Sequence, residues 1–523
     1  MLHAKRWLYL VHRWLGVLLC AFFAMWFVSG VVMMYVGYPK LTQAEWLAHL
    51  PPLRPVTQGT DRVLEPAEAL QRAGITGPLQ DLRLAVASAG RAVYLVVPAT
   101  AHASPTAPAS KAASPRRPPA PAVIDAITGA VLQQVDAQHA VASASAFAQG
   151  AAGSIQHLGT VDEDAFTHSR ALDVHRPLHR LHLGDAAGTV VYVSGATGEV
   201  VRDATLQERV WNYAGAWIHW LYPLRGNVFN PYWTDIVNWL SIAGIVLTVT
   251  GTVVGVMRWR FAGRYKTGSR TPYRGFMMRW HHVFGLVFAL VTFTWIFSGL
   301  MSMNPWKIFD SGAAPLRTEA MHGGPLVLPA PAASVPALLA AASPNTRELR
   351  WTQTAGHALV QAHSPTGAPL VLHAGTGDPH AWQPGALAHA AAQLLPYPVV
   401  RTDTLQSYDL HYYDRAAHTM TGGGDKPLPV LRVVFDDPEA TWVHIDPHTG
   451  AVLGRTDTHR RTSRWLFAML HSWDWLPLLE RRPLWDVVLI VLSLGGVVMS
   501  VTGVVIGWRR LGLKLLPARR HAR

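Results

Sequence analysis

Four apolar stretches limit what this chain can fold into. They run from about Leu15 to Tyr35, Ile236 to Met257, Val283 to Met303 and Val487 to Trp508. Each supplies roughly the 20 apolar residues that a hydrocarbon core about 30 Å thick requires of a helix. Half of the 523 residues are hydrophobic, which leaves room for sizeable soluble parts as well.

The net charge of +13 invites a nucleic-acid reading, but the positions of the charges oppose it. Lys5, Arg6 and Arg13 stand before or at the mouth of the first stretch. Arg258, Arg260, Arg264, Lys266, Arg270, Arg274 and Arg279 crowd the link between the second and third. Arg509, Arg510, Lys514, Arg519, Arg520 and Arg523 follow the fourth. Short loops rich in Lys and Arg stay in the cytoplasm. Both termini and the 258–280 link are therefore expected inside, and the long connections 37–232 and 304–484 outside, in the periplasm of a Gram-negative host. The expected partner is a lipid bilayer, not nucleic acid. "VVMMYVGYPK" after the first stretch lacks a small-x-small cleavage pattern, so that stretch is read as a retained anchor. The single cysteine, Cys20, excludes an intrachain disulfide, a CxxC pair and a covalent CxxCH haem site.

Two ungapped registers show the chain written twice. At an offset of 269, His12, Gly16, Trp26, Ser29 and Gly30 meet His281, Gly285, Trp295, Ser298 and Gly299. At an offset of 252, His219, Trp233, Ser241, Thr250, Gly251, Gly255 and Arg258 meet His471, Trp485, Ser493, Thr502, Gly503, Gly507 and Arg510. Chance hydrophobicity does not hold so many Gly, His, Trp and Thr in register. The 17-residue difference is assigned to a flexible, disordered Pro/Ala/Ser-rich insertion at 98–122. Outside the membrane, "HRPLHRLHLGDAAGTVVYVSGATGEVV" and "LPVLRVVFDDPEATWVHIDPHTGAVL" alternate apolar positions between turn signals, which predicts antiparallel strands in α+β domains.

A strand pair closing on "TGxV" beside such spans resembles the PepSY domain. The phrases "HRWLG" and "LHSWDWLPLLERRPLWDVVLIVLSLGGVVMSVTGVVIGWRR" resemble the PepSY-associated transmembrane family, over nearly the full chain outside the insertion. The expected architecture is a membrane α-helical protein with α+β extracytoplasmic domains. Its four transmembrane helices form two tandem repeats, each with a PepSY-like periplasmic domain. The expected segments are helix 1 at 1–37, PepSY-like domain 1 at 38–205, an interfacial helix at 206–232 and helix 2 at 233–259. The basic loop at 260–279 is followed by helix 3 at 280–303, PepSY-like domain 2 at 304–458, a second interfacial helix at 459–484, helix 4 at 485–509 and a basic tail at 510–523. The resemblance implies iron-regulated inner-membrane proteins and ferric-siderophore reductases that carry non-covalent b-type haem on membrane-embedded histidines. It equally implies peptidase inhibitors or modulators.

His12 and His281 are repeat equivalents at the cytoplasmic ends of the first and third spans, so an approximate dyad sets them face to face. Two imidazoles on facing helices are the usual axial pair of a b-type haem. Gly16 and Gly285 lie four residues on, on the same helix face, and Gly251, Gly255, Gly503 and Gly507 bring small residues to the same depth. His219 and His471, in aromatic-rich interfacial stretches, form the second pair near Ser29-Gly30 and Ser298-Gly299. Haem b, two groups per chain, is the expected cofactor. His282, beside His281, and its repeat partner Arg13 are read as propionate or headgroup contacts. Arg258 and Arg279 are further candidates for propionates. Simpler readings stand beside these: interfacial histidines as polar anchors, glycines as plain helix packing, Met33, Met34, Met301 and Met303 as apolar filler. In the outer domains His175, His179, His182 and His411 invite a metal or ferric-chelate reading, though no spacing matches a standard site. His444 and His448 read as solvated, and Tyr408, Tyr412 and Tyr413 as sheet core.

No GxGxxG, P-loop, HExxH or GxSxG is present, so electrons from the cytosol need a separate donor or the quinone pool. The expected function is a haem-dependent electron-transfer protein of the inner membrane that reduces a periplasmic ferric siderophore or other ferric chelate. The alternative is a non-enzymatic scaffold whose PepSY-like domains bind or modulate periplasmic proteins.

Overall fold

In the computed structural model, residues 2–54, 62–99, 121–150, 153–310, 312–414 and 426–515 are described. Most of the Pro/Ala/Ser-rich insertion, 100–120, lies outside them.

The apolar runs become helices α1 (Leu2–Tyr35), α2 (Trp233–Arg258) and α5 (Leu484–Leu515), all three long and apolar enough to cross a membrane. The third run is not the single helix expected over 280–303. It is two helices, α3 (Phe276–Val287) and α4 (Ala289–Ser302), bent by 67° at Phe288. Neither proline nor glycine marks the bend, the usual causes of a sharp kink. Its local correlate lies across the bundle, where the Phe288 ring occupies the space a Cβ would need at Gly495 of α5.

These elements pack into one bundle, with Leu19, Phe23 and Phe27 of α1 against Leu247 of α2. Buried hydroxyls find acceptors within their own helices: Thr248 donates to the Gly244 carbonyl (2.9 Å) and Ser500 to that of Gly496 (2.7 Å). That back-bonding satisfies those two hydroxyls inside an apolar bundle, whereas Thr292 Oγ1 and Trp295 Nε1 on α4 are buried with no hydrogen-bond partner among the described residues.

Outside the bundle the alternating segments fold as antiparallel strands. One four-stranded sheet has the order β4-β5-β6-β7, from Gln156–Val161, Leu178–His182, Val190–Ser194 and Val200–Ala204. Another has β11-β12-β13-β14, from Val399–Leu405, Val430–Phe435, Trp442–Ile445 and Val452–Thr456. The expected Thr-Gly turns are present: Gly198 and Gly450 both sit at φ 74°, a left-handed conformation that favours glycine.

The sequence reading gave each outer segment its own domain, and the structure adds a sheet common to both. Its order is β10-β9-β8-β1-β2-β3. Strands β1 (Leu79–Ser88), β2 (Arg91–Pro98) and β3 (Ala122–Asp125) come from the first outer segment. Strands β8 (Glu348–Thr354), β9 (His357–His363) and β10 (Leu370–His373) come from the second. The seam is the β1–β8 pair, with Leu82 opposite Trp351 and Ala85 opposite Glu348. Leu82, Leu84, Tyr94, Leu349, Trp351 and Val360 bury one continuous core across it. Arg83 and Arg350 face each other there and are neutralised by Glu199 and Glu348 (3.4 and 3.2 Å from Arg83) and Asp81 (2.8 Å from Arg350).

The two interfacial segments are helical, but composite. Residues Leu206–Asn212 begin with a capping box between Thr205 and Glu208, and Thr458–Arg464 with an Asp457 cap. Each runs into a π turn, Tyr213–Trp217 or Trp465–Met469, two residues before His219 or His471. Left-handed residues, Leu221 (φ 54°) and Trp473 (φ 51°), then end each helix before Pro223 and Pro477.

Candidate cofactor sites between facing histidines

His12 on α1 and His281 on α3 face each other with ring centroids 6.4 Å apart and planes at 36°. The His12 Nδ1 lies 3.3 Å from the Leu247 carbonyl, and the His281 Nδ1 3.0 Å from that of Met499, with Thr502 Oγ1 at 3.3 Å. Each imidazole thereby points Nδ1 at the neighbouring helix, and neither Nε2 makes a hydrogen bond among the described residues. Gly251 and Gly503 let the rings lie flat on α2 and α5: a Cβ would come within 2.6 Å of His12 Cε1 and 3.2 Å of His281 Cε1. Gly16 and Gly285 keep the space beyond the rings clear. A Cβ at Gly285 would meet nothing within 4 Å, and one at Gly16 would reach only Leu247 at 3.7 Å and Cys20 at 3.9 Å. The six glycines thus divide by task, and Gly255 and Gly507 serve helix packing against Leu286 and Val17.

The space beside this pair is a cavity of about 680 Å³, open toward Arg13, Arg258, Arg509 and Arg510. Arg279 is not in its wall. Arg258 donates to the Tyr9 hydroxyl (2.8 Å) and lies over its ring. His282, read as a propionate or headgroup contact, lines the same cavity and is held at both ring nitrogens. Its Nδ1 is 2.7 Å from Thr271 Oγ1 and its Nε2 donates to the Gly255 carbonyl (2.9 Å), pinning the basic loop to α2.

His219 and His471 also meet. Their centroids are 6.2 Å apart with planes at 78°. Their Nδ1 atoms are 2.9 Å from Ser29 Oγ and 3.0 Å from Ser298 Oγ, and again neither Nε2 has a hydrogen bond among the described residues. The Trp26 indole donates to the His219 carbonyl at 3.0 Å, fixing the interfacial segment on α1. Gly215 brings the π turn close to that helix, since a Cβ there would be 3.1 Å from Val32. The adjoining cavity, about 480 Å³, is walled by Gly30, Gly299, Met33, Met34, Met303 and tryptophans, with no charged side chain.

At 6.4 and 6.2 Å between ring centroids, the two imidazoles of each pair stand too far apart to touch and close enough to share one bound group. Both cavities have volumes usual for cofactor sites. The residues present therefore fit a flat macrocycle held through two imidazoles at each position.

The outer-domain histidines do not converge in this way. Among the described residues no three His, Cys, Asp or Glu side chains are placed to hold a metal ion. His175 bonds Ser194 (3.1 Å), His179 lies between His157 and the Val135 carbonyl (3.0 Å each), and His182 accepts from Gly184 N–H (3.1 Å). His444 is buried rather than solvated, stacked on Tyr412 and receiving the Arg432 Nε–H at 2.9 Å. Burial, with Arg432 beside it, pushes it down to about 4. His448 is exposed as expected, and Tyr412 and Tyr413 are core.

Sequence reasoning missed the groups that orient the four imidazoles. Carbonyls carry no sequence signature, but Thr250 and Thr502, just before Gly251 and Gly503, bond those same Leu247 and Met499 carbonyls (3.1 and 2.8 Å). That Thr-Gly pair was the available signal. No curated protein matches the chain. A family model described as the PepSY-associated TM region matches residues 9–373, which takes in His12, His219 and His281 and stops before His471. Covering well over half of the sequence, that match places the chain in the PepSY-associated transmembrane family.

Proposed function

We propose that this protein is a four-span electron-transfer protein of a bacterial inner membrane, built by tandem duplication. In this reading two haem b groups are held non-covalently, one by His12 with His281 and one by His219 with His471. The bent α3–α4 pair is the third span, both termini are cytoplasmic, and the sheets lie in the periplasm. The observation that carries the reading is the pair of imidazole spacings, 6.4 and 6.2 Å, with every Nδ1 given a partner, every Nε2 without a hydrogen bond among the described residues, and all four rings lining a cavity.

Haem bound in this way supplies one-electron redox chemistry. The chain's own residues do the rest. Leu247, Met499, Ser29 and Ser298 fix the ring orientations and, by accepting from Nδ1–H, raise the basicity of Nε2. The glycines keep the slots clear. Arg13, Arg258, Arg509 and Arg510 offer cations to carboxylates at the inner mouth, whereas the outer cavity is apolar and walled by aromatic rings. Electrons enter from a separate cytoplasmic donor or the quinone pool and leave to a periplasmic ferric chelate, such as a ferric siderophore. Reduction weakens the hold of hard oxygen ligands on iron.

Pyridine-haemochrome quantification of protein purified from haem-replete cells tests the assignment. Two haems per chain are expected, falling to one in His12→Ala or His281→Ala. A colourless full-length protein rejects it, and binding of a periplasmic polypeptide by that colourless protein would favour the scaffold function.

A further inference from the structure

The two cavities approach each other at a single layer of the bundle, and that layer is built unlike the walls on either side. Phe23 lines both cavities and is 3 % exposed. Its ring edge seats on Gly244 of α2, where an added Cβ would lie 3.1 Å from Phe23 Cε1 and equally close to Ile296 of α4. On the opposite side the Phe27 ring fills the notch at Gly496 of α5, as Phe288 does at Gly495. The Trp26 ring lies 6.1 Å from Phe23 and the Trp295 ring 5.7 Å from Phe27. Two hydroxyls flanking the layer, Thr248 and Ser500, donate to the carbonyls of Gly244 and Gly496, while Thr292 Oγ1 and Trp295 Nε1 are buried with no hydrogen-bond partner among the described residues. Bulky side chains from α1 and α4 thus close onto bare backbone of α2 and α5.

We propose that this layer, with Phe23 at its centre, is a dry seal between the two sites. It gives them van der Waals continuity through aromatic rings and blocks a water chain between them. The inference rests on the two-site electron-transfer reading and adds a requirement to it. One electron leaves the inner site and one arrives at the outer, no covalent bond forms or breaks, and no proton follows across the membrane. Rings packed at interior density carry the contact and leave no space for water.

Cys20, the only cysteine, provides a readout that needs no cofactor, because it lies in the inner cavity wall one turn from Phe23. A membrane-impermeant trimethylammonium methanethiosulfonate reagent is applied to the outer face of spheroplasts carrying the full chain, with labelling after denaturation as the reference. Wild-type Cys20 is expected to resist labelling. Phe23→Ala is expected to be labelled about ten-fold faster or more, the factor that each ~1.4 kcal/mol of barrier represents, and Phe23→Leu to stay near wild type. Proteoliposomes under a potassium diffusion potential are expected to leak protons with Phe23→Ala only. Ready labelling of wild-type Cys20 from outside overturns the seal whatever the variants do, and so does Phe23→Ala labelling no faster than wild type. Loss of haem from purified protein would instead defeat the redox reading and leave these labelling results standing.

Discussion

A carbonyl and a hydroxyl hold an imidazole differently. The inner pair, His12 and His281, donates Nδ1–H to backbone carbonyls, which no substitution of those residues removes. The outer pair leans on Ser29 and Ser298, whose own hydroxyl protons go to the carbonyls of Met25 (2.7 Å) and Trp295 (3.0 Å), so each serine oxygen accepts from its histidine, and His471 Nδ1 also has the Trp295 carbonyl at 3.3 Å. Ser29→Ala is therefore expected to weaken only the outer site, by the 10–100-fold usual when such a supporting partner is lost. Haem titration of the purified variant, with the inner site as internal reference, measures this. The glycines separate room from packing. Gly285→Leu puts a side chain where a Cβ has no neighbour within 4 Å, so it is expected to abolish inner-site haem with an unchanged thermal midpoint of the haem-free protein. Gly251→Ala instead drives a methyl into the His12 ring and is expected to cost about 1–3 kcal/mol, visible in thermal unfolding without any cofactor. These histidines and glycines were legible because the sequence states them twice at constant offset. Their carbonyl partners were not, since a backbone oxygen looks the same beneath every side chain.

At the scale of elements, the strands were legible from alternation and the β1–β8 seam was not. Its partners, Leu82 and Trp351, stand 269 residues apart, and nothing local names a partner at that distance. The bend at Phe288 and the π turns before His219 and His471 were hidden for a related reason, since they answer to what packs across from them. At the seam, Arg83 answers three carboxylates, Asp81 and Glu199 of the first outer segment and Glu348 of the second. Arg83→Met leaves Glu199 and Glu348 largely buried without their cation, and is expected to cost about 1–3 kcal/mol after allowance for partial exposure. Limited proteolysis should then release both outer segments together. Acid should loosen the same region. Burial, with Arg350 and Arg83 nearby, pushes His363 down to about 4, and burial with Arg432 does the same to His444. The unfolded chain, whose histidines titrate near 6.5, binds more protons between those values. Stability is accordingly flat above about pH 7 and falls as pH drops from about 6.5 toward 4. Glu348 acts in the opposite sense, since burial raises it despite Arg83. A thermal-unfolding series over pH, repeated on His444→Gln, should show the acid slope and its flattening.

Over the whole molecule, charge is sorted by end. Residues 1–44, 258–309 and 487–523 contain no Asp or Glu, and the cationic clusters within them hold 16 of the chain's 45 Lys and Arg. All 32 acidic residues lie in the two long connections or at their helix ends, with the other 29 cations. In the proposed orientation a fluorescent-protein fusion to the C-terminus should glow and an alkaline-phosphatase fusion there should be inactive. The reverse result would invert the direction of electron flow. The sheet common to both outer segments bears on how such a chain is made. Strand β1 must hold one lateral edge unpaired until β8 is translated, 269 residues later by register, which at 5–20 residues per second is roughly 13–54 s. An unpaired edge invites any passing strand. Every newborn copy therefore spends part of its synthesis adhesive and incomplete, with the last half of its own ribosomal product as the only correct remedy.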